Sequence, residues 1–332
     1  MINTDDHSKE KCGVFGIYDL DGTDVVRTIY YGLFALQHRG QEGCGIVSVT
    51  PEGELVRVKG KGLVTEVFNN ANLSTLKGDM AIGHVRYSTT GGGGIENVQP
   101  FLFRHGSGDF ALAHNGNLVN SNQLRSYLED RGSLFQSTSD SEILAHLIKK
   151  NPLERNSPRI YQIMEALNMI EGAFAFLIMT RNRLYLARDK YGLRPLSIGT
   201  VGDGYVVSSE TCAFSTVGAK FLRNVEPGEV VTIDHHGLRS NKYSEYKRDA
   251  MCAMEYIYFS RPDSDIESVN VHAFRKESGR LLWHSAPADA DIVVGVPDSS
   301  LSAAMGYSEE SGIPYEMGLI KNKYIGRTFI PY

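Results

Sequence analysis

The order in which two hydrophobic periods follow each other along the chain does most to constrain its fold. From Cys12 to about Asp234 apolar residues recur mainly with the alternation of short strands, broken by a few stretches of helical spacing. Residues 14–18, 45–49, 55–59, 81–87 and 110–114 read as strands bounded by glycine or turn residues. Between the first two, Val26, Ile29, Tyr30, Leu33 and Phe34 fall on one face of a helix. Further helices are expected over 139–148, where Ser139 and Glu142 have capping-box spacing, and from Pro158 to 170. Strands resume over 173–180, 184–188, 205–208 and 229–233. Strands, then helices, then strands again predict antiparallel sheets packed against helices.

The polar segment 241–249 reads as a linker, and after it the pattern changes. A β-branched run over 292–296 leads into Pro297-Asp298-Ser299-Ser300, then a helix over 300–312 and a strand over 315–320. Strand, loop, helix and strand make a parallel βαβ unit. A parallel sheet needs more strands than this and cover on both faces, so the second domain is expected to be incomplete.

Composition narrows the functional classes. A chain of 332 residues has room for two domains, and 42% hydrophobic with 22% charged residues is a globular balance. A net charge of -5 gives no basic excess for nucleic acid. The longest clean apolar stretch, 173–179, is too short to span a bilayer, so no membrane partner is expected. Cysteines 12, 44, 212 and 252 form no CxxC pair, which fits a reducing, cytoplasmic setting. No HxxxH spacing suggests a catalytic zinc.

Four short motifs carry chemistry. Cys12-Gly13 follows a polar leader, residues 1–11, with no apolar run of the secretory kind. As the first residue of a processed chain Cys12 would own a thiol (pKa about 8.5) and an α-amine (pKa about 8) able to take the thiol's proton. Arg86, ending a strand, offers a planar fork for an α-carboxylate, though taken alone a surface ion pair is the commoner role for such a residue. Asn115 and Gly116 offer a side-chain amide and an unobstructed backbone N–H suited to an oxyanion, or else a plain Asn-Gly turn. Asp140, at a helix start, is either a seat for an α-ammonium or a dipole stabiliser. Together these are the parts needed to bind an amino acid and attack its side-chain amide.

The first domain resembles the class II glutamine amidotransferases. The likeness runs through CGVFGI at Cys12, LQHRGQEG at Leu36, GHVRYSTTGGGG at Gly83, HNGNLVN at His114, TSDSEILAHLI at Thr138 and GLRPLSIG at Gly192. By position it implies Cys12 as nucleophile, Asn115 and Gly116 as oxyanion hole, and Arg86, Thr89 and Asp140 as the glutamine clamp. MEYIYFSRPDS at Met254, DIVVGVPDSSLSAA at Asp291 and GLIKNKYIGRTFI at Gly318 resemble the amidophosphoribosyltransferase family in particular.

That resemblance implies an α+β fold, a four-layer αββα N-terminal-nucleophile hydrolase domain over 12–240 after a propeptide of 1–11. A linker over 241–250 and the start of an α/β type I phosphoribosyltransferase domain with a parallel sheet, 251–332, would follow. It implies ammonia transfer to phosphoribosyl pyrophosphate (PRPP), giving phosphoribosylamine, glutamate and pyrophosphate, the first committed step of purine synthesis. Asp298, Ser299 and Ser300 would form the pyrophosphate loop, with Ser299 near Mg2+ and Lys321, Lys323 and Arg327 opening a loop that closes over PRPP. Cys252 matches the first of four ligands to a [4Fe–4S] cluster that many relatives carry. A homotetramer with nucleotide feedback is also implied. Two alternatives are a stand-alone amidohydrolase, which has no use for the Pro297–Ser300 loop, and a non-catalytic scaffold that keeps the leader on Cys12.

Overall fold

Alternation along the first strand sets the architecture: Val14 and Tyr18 enter one apolar core, while Phe15 and Ile17 enter another. A strand buried on both faces must lie inside a layered structure. The computed structural model describes residues 12–19, 24–87, 94–106, 108–150, 157–245 and 250–322. The chain divides into two units between Met251 and Cys252.

The first unit holds two antiparallel sheets. One runs in the order β11 (Lys220–Asn224), β9 (Ser197–Val201), β10 (Gly204–Ser208), β1 (Gly13–Tyr18), β4 (Met80–Arg86), β2 (Gly43–Val49), β3 (Leu55–Lys61). The other runs β13 (Gly237–Lys242), β12 (Glu229–Asp234), β8 (Leu184–Arg188), β7 (Gly172–Thr180), β6 (Phe110–Leu118), β5 (Phe101–Phe103). Val14, Ile82, Ala113 and Leu177 belong to the core between the sheets. Helices α1 (Val25–Ala35) and α7 (Cys212–Val217) cover the outer face of the first sheet, with Ile29, Leu33 and Phe214 facing Phe15 and Val85. Helices α4 (Ser121–Glu129), α5 (Ser141–Lys150) and α6 (Arg159–Met169) cover the second sheet through Leu128, Leu144 and Ile163. Two single turns, α2 (Val64–Val67) and α3 (Asn70–Leu73), lie beside β3 and β4 in sequence. The unit is therefore a four-layer αββα fold, as expected.

Three local expectations change. The strand expected to stop at His114 continues to Leu118, because Asn115, Gly116 and Asn117 pair with Ala175, Phe174 and Ala173 of β7. Asn115-Gly116 is thus ladder, not turn. The capping box of Ser139 and Glu142 does not form. The Glu142 carboxylate instead accepts from Gln136 N and Ser137 N, at 2.9 and 2.8 Å, and α5 starts at Ser141. At the far end Asn241 and Lys242, assigned to the linker, complete β13, an edge strand whose exposed faces tolerate polar residues.

The second unit packs α8 (Val271–Ser285) on α9 (Leu301–Ser311), with a small hairpin of β14 (Asp265–Ile266) and β15 (Val269–Asn270). Gly279 and Gly306 let the two backbones touch, since a Cβ at either would collide with a carbonyl of the opposite helix. The expected strands 292–296 and 315–320 reduce to one parallel bridge, Val293 to Tyr315. Val293 N donates to Pro314 O and Val293 O accepts from Glu316 N, both at 2.9 Å. Parallel ladders gain strength from strands on both sides, and Ile292 and Val296 stay exposed.

Candidate active site

Two strands end side by side to form the site. Gly13 of β1 faces Val85 of β4, so Cys12 falls opposite Arg86 at the edge of the sheet. Val14 points into the space between the sheets, and strand alternation puts Cys12, His84 and Arg86 on that same face. On β6, Ala111 and Ala113 point into that space from the other side, which places Asn115 there too. His84 ties the two walls together, its Nε2 lying 3.0 Å from the His114 carbonyl, one residue before Asn115. A carbonyl only accepts, so Nε2 carries the proton.

Cys12 is buried, and its sulfur sits 3.5 Å from both the backbone N and the carbonyl O of Tyr87. The Tyr87 N–H donates to sulfur, and the thiol donates to the Tyr87 carbonyl. Beneath it, Arg39 Nε donates to the Cys12 carbonyl at 2.9 Å. Gly40 follows because a Cβ there would meet the Arg86 backbone at 2.5 Å.

Asn115 is fully buried, and neither its amide nitrogen nor its amide oxygen has a hydrogen-bond partner among the described residues. That is a costly state which ordinary folding disfavours. Gly116 has φ +152, and a Cβ there would lie 2.7 Å from His114 Nε2 and from Phe174 Cα, so glycine alone fits. Behind this strand lies a polar network. Gln99 Oε1 accepts from His114 N at 2.7 Å, Gln99 Nε2 donates to Ser141 Oγ at 3.1 Å, and His114 Nδ1 lies 2.8 Å from that hydroxyl. The Ser141 hydroxyl in turn donates to Asp140 Oδ1 at 3.3 Å, while Asp140 Oδ2 accepts from Leu118 N at 2.8 Å. Burial pushes the Asp140 carboxyl up, opposed by these donors. Burial also drives His84 down to about 3, with the Arg86 charge adding to it, and His114 to about 3, with Arg194 adding. Both imidazoles are neutral at physiological pH.

The fold thus gathers Cys12, Arg86, Asn115 and Gly116, with Asp140 joined to the far end of β6 through Leu118. Thr89 lies outside the described residues. Sequence reasoning passed over Tyr87, Arg39, His84, Gln99 and Ser141. The motif blocks containing all of them but Gln99 were visible, but most of their partners are distant in sequence.

In the second unit Asp298 is exposed, while Ser299 and Ser300 are half-buried. Asp298 pairs with Lys321 at 3.0 Å, and Ser300 Oγ donates to Val296 O at 2.5 Å as it opens α9. One engaged carboxylate and two hydroxyls do not make a magnesium cage, and among the described residues no group of three His, Cys, Asp or Glu could hold a metal ion. Cys252 is the one cysteine of residues 252–332, so a four-thiolate cluster would need ligands from outside this stretch. Lys323 and Arg327 lie outside the described residues. Among the described residues no helix is long and apolar enough to cross a membrane.

Residues 84–216 match a family described as "Glutamine amidotransferase domain". A protein of Methanocaldococcus jannaschii named amidophosphoribosyltransferase is 47% identical over 335 residues, covering 96% of this chain and 70% of its own. This chain belongs to the amidophosphoribosyltransferase family. The Bacillus subtilis amidophosphoribosyltransferase is 57% identical over 97% of this chain. The chain spans 66% of that relative and 64% of a Staphylococcus aureus one. A solved amidophosphoribosyltransferase structure, described as glutamine PRPP amidotransferase from B. subtilis complexed with ADP and GMP, superposes with a TM-score of 0.90 at 56% identity. It covers 97% of this chain and 69% of that one. Another, described as the allosteric regulatory enzyme of purine biosynthesis, gives 0.91 at 56% identity, with coverages of 97% and 68%.

Proposed function

We propose that the first unit hydrolyses glutamine at Cys12 and that the whole protein passes the ammonia to PRPP. The observation that carries this reading is Asn115, a fully buried amide without a partner among the described residues, on the wall facing the Cys12 side of the gap. A buried donor left unpaired is what an oxyanion hole requires before substrate arrives. Arg86 would take the α-carboxylate, and Asp140 with Thr89 the rest of the amino-acid end.

Once residues 1–11 are removed, the α-amine of Cys12 would accept the thiol proton. The thiolate attacks the glutamine amide carbon, and charge gathers on its oxygen beside Asn115 Nδ2 and Gly116 N–H. The C–N bond then breaks, the leaving nitrogen takes the proton as ammonia, and a thioester remains. Water adds to the thioester, releasing glutamate and restoring the thiol. In the second half-reaction ammonia would displace pyrophosphate from PRPP, with Asp298, Ser299 and Ser300 near the pyrophosphate. The loop alone is not a metal cage, so Mg2+ would arrive with PRPP, and the Ser299 hydroxyl would be the nearest oxygen ligand this loop offers. The reading includes a cytoplasmic homotetramer under nucleotide feedback; the ADP and GMP named for the B. subtilis structure support the feedback alone.

Intact mass before and after a glutamine-mimicking electrophile tests the first half. One adduct on a chain starting at Cys12, absent in Cys12→Ala, is expected. A chain that keeps residues 1–11 and refuses the label overturns it.

A further inference from the structure

Glu210 is a buried carboxylate that the reaction above does not use. It lies just beyond β10, where Ser209 Oγ accepts from Val14 N at 3.0 Å and Ser209 N donates to Val14 O, stitching this loop to β1. Glu210 Oε1 accepts from Arg39 Nη1 at 2.6 Å and lies 2.7 Å from His38 Nε2. Its Oε2 is 3.6 Å from Cys212 Sγ. Arg39 is fully buried, and its Nε donates to the Cys12 carbonyl. Burial alone would raise the Glu210 carboxyl, but His38 and Arg39 outweigh it and hold it below the usual range.

A buried ion pair of this kind is weak evidence for stability, since apolar residues of similar volume often serve the fold as well. It needs another reason to be here. The Arg39 fork has fixed geometry, so a carboxylate anchoring one nitrogen also aims the others. The nitrogen aimed here holds the carbonyl of the residue that bears the nucleophile.

We propose that Glu210 is a positioning residue for glutamine hydrolysis: through Arg39 it fixes the Cys12 carbonyl and hence the direction of the thiol. This rests on Cys12 being the nucleophile. Glu210 does not touch substrate. Its loss should leave glutamine binding intact and misplace the attacking sulfur, which costs about 10²-fold in rate for a displacement near 1 Å.

The test uses E210Q, which keeps shape but not charge, and the double variant R39M/E210L, which exchanges the pair for apolar residues and is expected to fold. In both, kcat for glutamine hydrolysis should fall by about 10²-fold while KM stays within about twofold. Iodoacetamide labelling of Cys12 should slow in parallel, with thermal unfolding of the double variant near wild type. Wild-type kcat in either folded variant overturns the proposal. So does failure of both to fold, which would assign the pair to the fold. Cys12→Ala separates the two ideas. Activity surviving there removes the nucleophile reading, whereas an inactive Cys12→Ala beside a fully active E210Q removes only the positioning role.

Discussion

Replacing Asn115 with leucine should make the protein more stable and less active at once. The two side chains have the same number of heavy atoms. In the folded chain the Asn115 amide is fully buried without a partner among the described residues. Burying such a group costs about 1–3 kcal/mol, and an apolar group of the same shape recovers it. The extra volume of leucine in a packed wall costs up to about 1 kcal/mol. The net is a gain of about 1 kcal/mol, or about 2–4 °C in the melting temperature of a unit this size. Losing an oxyanion donor should at the same time lower kcat by about 10²–10³-fold. Thermal unfolding and ammonia release, measured on one preparation, check both. Opposite signs exclude a folding defect as the cause of lost activity. A melting temperature several degrees below wild type, or activity within a few-fold of it, would refute the view that this amide is held unpaired for the reaction.

Gly116→Ala should destabilise the first unit by about 1–3 kcal/mol or more, because the new Cβ overlaps the β7 backbone at positive φ; an unchanged urea midpoint would contradict the geometry. Asp140→Asn should raise KM for glutamine with a smaller change in kcat, and an unchanged KM counts against the ammonium seat. Stability should fall as pH drops below about 6.5, because the unfolded chain protonates histidines that His84 and His114, at about 3, keep neutral when folded. The loss approaches about 1.4 kcal/mol per pH unit for each imidazole between the two pKa values, with the raised Asp140 and Asp189 carboxyls acting in the opposite sense. Urea midpoints at pH 7, 6 and 5 read this directly, and a flat profile would mean that the imidazoles ionise inside the fold.

The layered fold was legible because its strands alternate cleanly: Val14 and Phe15 already announce two cores. Edge strands, apart from β3, were not. Lys220–Asn224 and Gly237–Lys242 have exposed residues on both faces, so hydrophobic alternation is weak and pairing alone defines them. Within the site, Cys12, Arg86, Asn115 and Gly116 stood out because each residue type brings its own chemistry. Their supports did not. Arg39 meets Glu210 across 171 residues and His84 meets His114 across 30, and no spacing rule in one sequence joins such pairs. Asn115-Gly116 misled for a local reason. That dipeptide favours turns, and only the pairing with Ala175 and Phe174 holds it extended.

The pairing of β1 with β4 has a consequence for folding itself. Six rungs join Gly13 to Val85 through Tyr18 to Met80. A slip of one residue turns every side chain of a strand to its other face. Cys12 would then point away from Arg86 and Asn115, towards the α1 side of the sheet. Under the proposed reaction, sulfur reactivity would be a proofreading signal: only a chain whose first strand has seated in the right rung would present its thiol to glutamine.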